Sequence, residues 1–120
     1  MMEHLFVYGT LIPGRENDFV LKNIKGIWQK ATVKGFFDAK GWGKSEGFPS
    51  VILAENGNVI DGYLFSSEEL IENWDRIDEF ESDLYQRVKT TIFLENQSKI
   101  LGYIYELNSS LTYDIQLKKR

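Results

Sequence analysis

Glu81 stands at i+11 from Leu70 on a segment where Trp74 and Ile77 fall at i+4 and i+7. A helix across these positions turns all four side chains to one face, because about 100° per residue brings eleven steps back to within roughly 20° of the start. Glu72 and Glu79 do not share that face. An inward carboxylate at a helix C-terminus is desolvated and meets the negative end of the helix dipole, and both effects raise its pKa. The chemistry this suggests is proton transfer near neutral pH. Spacing alone slightly favours a plainer arrangement, in which Glu81 lies past the helix end and pairs with Arg87 or Lys89.

A second group of interest is Tyr8-Gly9-Thr10-Leu11, directly after the apolar run Leu5-Phe6-Val7. Gly9 permits an unusual backbone angle, and such a loop leaves N–H groups free to hold a carboxylate or an oxyanion. An ordinary strand-ending turn would read the same way. Tyr85 and Arg87 follow the helix and, if they face a cavity, can orient a substrate or Glu81. A structural hydrogen bond and a strand-surface charge serve equally well for them.

Other chemistries lack their residues. The chain has no cysteine and one histidine, His4, which removes disulfides, thiol catalysis and multi-histidine metal centres. Gly43-Lys44-Ser45 has the ending of a phosphate-binding loop, but Asp38 stands where its first glycine is needed and Pro49 interrupts the helix that should follow. No serine sits in a nucleophile elbow. Glu79, Glu81 and Asp83 alternate without histidine, as a helix exit does, so no metal and no cofactor are expected. A net charge of −4 argues against nucleic acid and anionic lipid as partners. No run is long enough to span a membrane and the N-terminus does not read as a signal peptide, so a soluble, cytoplasmic protein is expected.

The elements that must position these groups fit one domain over residues 1–120, with 107–120 a C-terminal tail ending in Lys118-Lys119-Arg120. The pattern predicts strands over 5–8 and 32–37, and a short helix from about Glu16 that carries Phe19, Val20 and Ile24 inward. The runs 50–53 and 59–65 flank Asn56-Gly57, a strong hairpin signal. A second hairpin joins 88–94 to 100–105 across Asn96-Gln97-Ser98. Between the hairpins, Ser66 or Ser67 can cap the helix that leads to Glu81, and Ser66 with Glu69 fits a capping box. About six strands and two short helices without a strand-helix-strand rhythm make an α+β fold, mostly antiparallel, curled toward a small β-barrel.

Leu5-Phe6-Val7-Tyr8-Gly9-Thr10-Leu11 with Gly14 and Asn17, then Gly47-Phe48-Pro49, Val59 to Phe65, Ile77-Asp78-Glu79-Phe80-Glu81 and Tyr85-Gln86-Arg87-Val88 together resemble the γ-glutamylcyclotransferase-like superfamily, nearest its γ-glutamylamine cyclotransferase and AIG2-like branch. The resemblance spans residues 5 to about 105. It implies a β-barrel with flanking helices, a cavity at one end, and cleavage of a γ-glutamyl amide to 5-oxoproline and a free amine. The catalytic glutamate falls on Glu81 and the substrate-holding loop on Tyr8, Gly9, Thr10 and Leu11. The substrate's own α-amine would be the nucleophile, so neither a protein nucleophile nor a cofactor is needed. One departure is Ser82, where the family usually has glycine; either the chain leaves the helix differently or strain is stored there. Alternatives are a non-catalytic module that binds a small acidic metabolite in the same cavity, and a protein-interaction domain using the loop around Trp42, a segment that otherwise reads as a lid or specificity element.

Overall fold

The computed structural model describes residues 1–41 and 47–108. Trp42 and residues 109–120 of the expected tail lie outside the described residues.

The β1 strand (Glu3–Val7) sets the layering. Its successive side chains point to opposite faces, and both faces are buried. Phe6 joins Val33, Val51, Leu64, Ile92 and Ile104 inside the barrel. Leu5 and Val7 pack outward against Val20, Leu21, Leu70, Trp74 and Ile77. The apolar run is therefore a central strand between two cores.

With β2 (Ile27–Asp38), β3 (Ser50–Leu53), β4 (Asn58–Ser67), β5 (Tyr85–Leu94) and β6 (Lys99–Leu107), six strands form one sheet in the order β3-β2-β4-β1-β6-β5, and β2 also pairs with β5. Five strands close a mixed barrel and β3 is an additional strand. Leu107, expected in the tail, closes β6 opposite Tyr85 and is fully buried. Every pairing is antiparallel except β1 with β6, where Leu5 and Phe6 lie beside Tyr103 and Ile104. Closure between β2 and β5 rests on two residue pairs, Ala31 with Leu94 and Thr32 with Phe93.

The hairpin expected across Asn56-Gly57 does not form. Its turn exists, with Gly57 N–H donating to the Ala54 carbonyl at 3.0 Å. However, β3 and β4 lie on opposite edges of β2, Gly35 pairing with Leu53 on one side and Asn58 on the other. The turn crosses over β2 where two glycines meet. A Cβ on Gly35 would clash with the Ile52 carbonyl, and one on Gly57 would clash with the Gly35 backbone. The second hairpin forms as expected, with Val88 opposite Ile104 and Ile92 opposite Ile100.

The first helix, α1 (Phe19–Lys22), is a single turn that buries Val20 and Leu21. Ile24 is buried as expected, whereas Phe19 is exposed. The second helix, α2 (Leu70–Glu81), buries Leu70, Trp74 and Ile77 against the sheet and ends on Glu81. It has no capping box. Ser66 is still in β4, its hydroxyl 2.7 Å from His4 Nδ1, and Ser67 accepts the Glu69 N–H at 3.0 Å while donating to the Lys25 carbonyl. Among the described residues, no helix is long and apolar enough to cross a membrane.

Candidate active site

Tyr8 directly follows β1, and its hydroxyl turns back to strand β6. It donates to the Tyr105 carbonyl at 2.5 Å, and the chain turns through Gly9, Thr10 and Leu11. The turn is held by carbonyls and side chains: Ile12 N–H donates to Gly9 O at 3.3 Å, Asn17 N–H to Thr10 O at 3.0 Å, and the Asn17 amide to Thr10 Oγ1 at 2.9 Å. None of the N–H groups of Gly9, Thr10 or Leu11 donates to another described residue. Gly9 is not in the left-handed region that its residue type suggests. Its smallness serves another purpose, because an added Cβ would lie 3.6 Å from Pro49 Cβ, in the cavity that both residues line.

That cavity has a volume of about 200 Å³. Its lining includes the end of β1 and the loop from Tyr8 to Leu11 with Asn17, then Phe80, Glu81, Ser82, Leu84 and Tyr85 from the end of α2 and the start of β5, together with Phe48, Pro49 and Tyr105. Glu81 continues the buried stripe of α2 and lines the cavity, and it forms no pair with Arg87 or Lys89. Burial raises its carboxyl to about 7. It is the only charged side chain among the lining residues, so no cation in the lining offsets its charge.

Tyr85 also lines the cavity, with its hydroxyl donating to the Pro49 carbonyl at 2.8 Å. Burial raises its pKa, against a hydrogen bond with Ser50, and Glu81 adds to the rise. The Tyr8 phenol is pushed well above its ordinary value by burial, with Tyr85 and Glu81 contributing. Both tyrosines thus stay neutral donors beside Glu81.

Arg87 does not line the cavity. Its Nε and Nη2 reach Asp78 Oδ1 and Oδ2 at 2.9 and 3.2 Å, and its guanidinium lies 4.3 Å from the Trp74 ring centre and 5.0 Å from that of Tyr103. β5 sends its side chains alternately to the two faces, but the fork geometry of guanidinium and carboxylate holds Arg87 over α2. Of the two sequence expectations for Arg87, contact with substrate and a structural contact, the second is present as an ion pair with Asp78. Roles for Asp78, seen in the sequence only as a family landmark, and for Tyr105 were not anticipated. The Tyr105 hydroxyl donates to Asp78 Oδ1 at 2.6 Å, a relationship between residues 27 apart that no local pattern announces. Asn17 and Pro49 were visible only as landmarks of the family resemblance.

The exit from α2 is strained. Ser82 adopts φ 64° and ψ −173°, a region that only glycine enters freely. Among the described residues, no three of His, Cys, Asp and Glu cluster as a metal site would.

The closed mixed barrel thus carries one cavity that is lined both by the Glu81 carboxylate and by the Gly9, Thr10 and Leu11 loop. The gamma-glutamyl cyclotransferase, AIG2-like family model matches residues 5–119, and the chain belongs to this family. It is 30% identical to the gamma-L-glutamyl-butirosin B gamma-glutamyl cyclotransferase of Niallia circulans, covering 89% of this chain and 68% of that one. Its fold matches an AIG2-like protein of Mus musculus at TM-score 0.65 and 19% identity, covering 93% and 83% of the two chains. It also matches YkqA of Bacillus subtilis at TM-score 0.66 and 24% identity, covering 90% of this chain and 36% of that longer one. Family and curated relative support gamma-glutamyl cyclotransferase activity in general.

Proposed function

We propose that the protein releases an amine from a γ-glutamyl amide by attack of the substrate's α-amine on its own γ-carbonyl, forming 5-oxoproline. The observation that carries this reading is Glu81, raised to about 7 and lining the same cavity as the open amides of Gly9, Thr10 and Leu11. Folding the glutamyl chain into a near-ring geometry makes the reaction unimolecular, which is worth effective molarities of about 10⁵ to 10⁸ M. A cavity of about 200 Å³ suits a small folded group, being below the roughly 300–1,000 Å³ typical of larger ligands. The leaving amine would then extend past Phe48 and Phe80, both exposed at the lining.

In this scheme Glu81, as carboxylate, takes a proton from the α-ammonium and frees the nitrogen lone pair. The new C–N bond forms, the amide C–N bond breaks, and Glu81 returns the proton to the departing nitrogen. Two protons leave the α-nitrogen and two reach the amine, which departs as ammonium, so none is consumed. The Gly9, Thr10 and Leu11 amides would hold the α-carboxylate or the developing oxyanion. No cofactor takes part.

The test is to offer the purified chain a panel of γ-glutamyl amines and γ-glutamyl amino acids while 5-oxoproline is measured, with Glu81→Gln in parallel. Turnover that Glu81→Gln loses by about 10²-fold or more supports the mechanism. Equal turnover by both proteins defeats it, and binding of a γ-glutamyl compound without turnover would favour a metabolite-binding module.

A further inference from the structure

The two halves of the site come from distant parts of the chain, and one residue touches the supports of both. Tyr105 lies in β6, is 5% exposed and borders the cavity. Its carbonyl accepts the Tyr8 hydroxyl at 2.5 Å, which fastens the residue just before Gly9. Its own hydroxyl donates to Asp78 Oδ1 at 2.6 Å, one helical turn before Glu81.

Asp78 is in turn locked by Arg87 with a two-point contact at 2.9 and 3.2 Å, while the Asp78 carbonyl accepts the Ser82 N–H at 3.0 Å. Helix ends lack half of their backbone partners and fray first. Here the last turn, with Glu81 on it, is tied to β5 and β6 by charge-assisted bonds instead. We propose that Tyr105, with Asp78 and Arg87, is a positioning residue that sets the spacing between the Glu81 carboxylate and the Gly9 to Leu11 amides.

This rests on the reading of Glu81 as the proton shuttle. Tyr105 borders the cavity, but its hydroxyl is committed to Asp78 and its carbonyl to Tyr8, so it acts on the reaction through the supports it holds. Burial opposes the charge on Asp78, yet the hydrogen bonds from Arg87 and Tyr105 hold its carboxyl below the usual value, so the tie stays charged while Glu81 titrates. Because a displacement of about 1 Å can cost roughly 10²-fold in rate, loss of the tie should register in kcat before it registers in substrate affinity.

The experiment uses the full chain as Tyr105→Phe, Tyr8→Phe and the double variant, with Asp78→Asn as a second way to cut the tie if Tyr105→Phe does not fold. Thermal unfolding establishes that each is folded at the assay temperature. The expected result is a kcat about 10- to 100-fold lower for Tyr105→Phe with KM within about threefold of the parent. Tyr8→Phe and Tyr105→Phe should combine to less than the product of their separate effects, because both cut one linkage. A folded Tyr105→Phe with parental kcat, or effects that multiply, overturns the proposal. A parent that turns over no γ-glutamyl compound, or Glu81→Gln matching the parent, overturns the reading of Glu81 and this proposal together. An active parent, a dead Glu81→Gln and an unimpaired Tyr105→Phe overturn this proposal alone.

Discussion

Ser82 follows Glu81 directly and holds φ 64° with ψ −173°, so the residue that ends the stripe of α2 is succeeded by one in a backbone state suited to glycine. Such a conformation costs a side-chain-bearing residue about 1–3 kcal/mol, whereas glycine loses about 0.5–1 kcal/mol through its freer unfolded chain. Ser82→Gly is therefore expected to stabilise the protein by about 1 kcal/mol and to raise Tm by about 5 °C. Thermal unfolding of the two proteins checks this. A lower Tm for the glycine variant would mean that the Ser82 hydroxyl, which accepts the Leu84 N–H at 3.4 Å, outweighs the strain.

Burial of Glu81 links stability to pH. Its folded pKa of about 7 lies above the ordinary value of 4.5, so the folded state binds the proton more tightly than the unfolded state does. The contribution is complete below pH 4.5 and is lost as pH rises through 7, by up to about 3 kcal/mol. Glu81→Gln should remove this slope and be the more stable protein at pH 8. Denaturant unfolding at pH 5 and pH 8 measures both slopes. A parent whose stability does not fall relative to Glu81→Gln over this range would place Glu81 in water.

The same group should shape the rate. A base that titrates near 7 gives kcat/KM an acid limb with an apparent pKa of about 7, activity rising as Glu81 ionises. Stability and activity then run in opposite directions through neutrality. A pH profile with its acid limb near 4.5 would show that Glu81 is solvated in the free enzyme.

Gly9→Ala separates the site from the fold. The added methyl makes only ordinary contact with Pro49, at 3.6 Å, and no positive φ forbids it. A stability change below about 1 kcal/mol is expected, together with a KM about tenfold higher because the methyl narrows the cavity. Equal KM for the two proteins would show that substrate does not approach Gly9.

Helical phase made Glu81 legible, since Leu70, Trp74 and Ile77 already form the buried face that it extends. Alternation likewise revealed the β5 and β6 pair. The partner of β3 was not legible. Asn56-Gly57 specifies a turn, but which edge receives the returning strand depends on the two glycines that let the turn cross β2, and each meets atoms distant in sequence. For a related reason Arg87 stayed open in the sequence between a substrate contact and a structural one. Its type and position suit a carboxylate, and the carboxylate it found is Asp78, one turn back along α2 rather than on a substrate.

The parallel pairing of β1 with β6 also governs when a growing chain can become a catalyst. Leu5 and Phe6 wait for Tyr103 and Ile104, and Tyr8 waits for a carbonyl 97 residues later. While a ribosome still holds the segment around Tyr105, the loop after β1 lacks its anchor and Asp78 lacks a hydroxyl. Loop closure over such a distance is slow and comes late. The two supports of the site can therefore be joined only once β6 is available, and a truncated chain that stops short of β6 would have Glu81 and the Gly9 to Leu11 loop without Tyr105 to hold them.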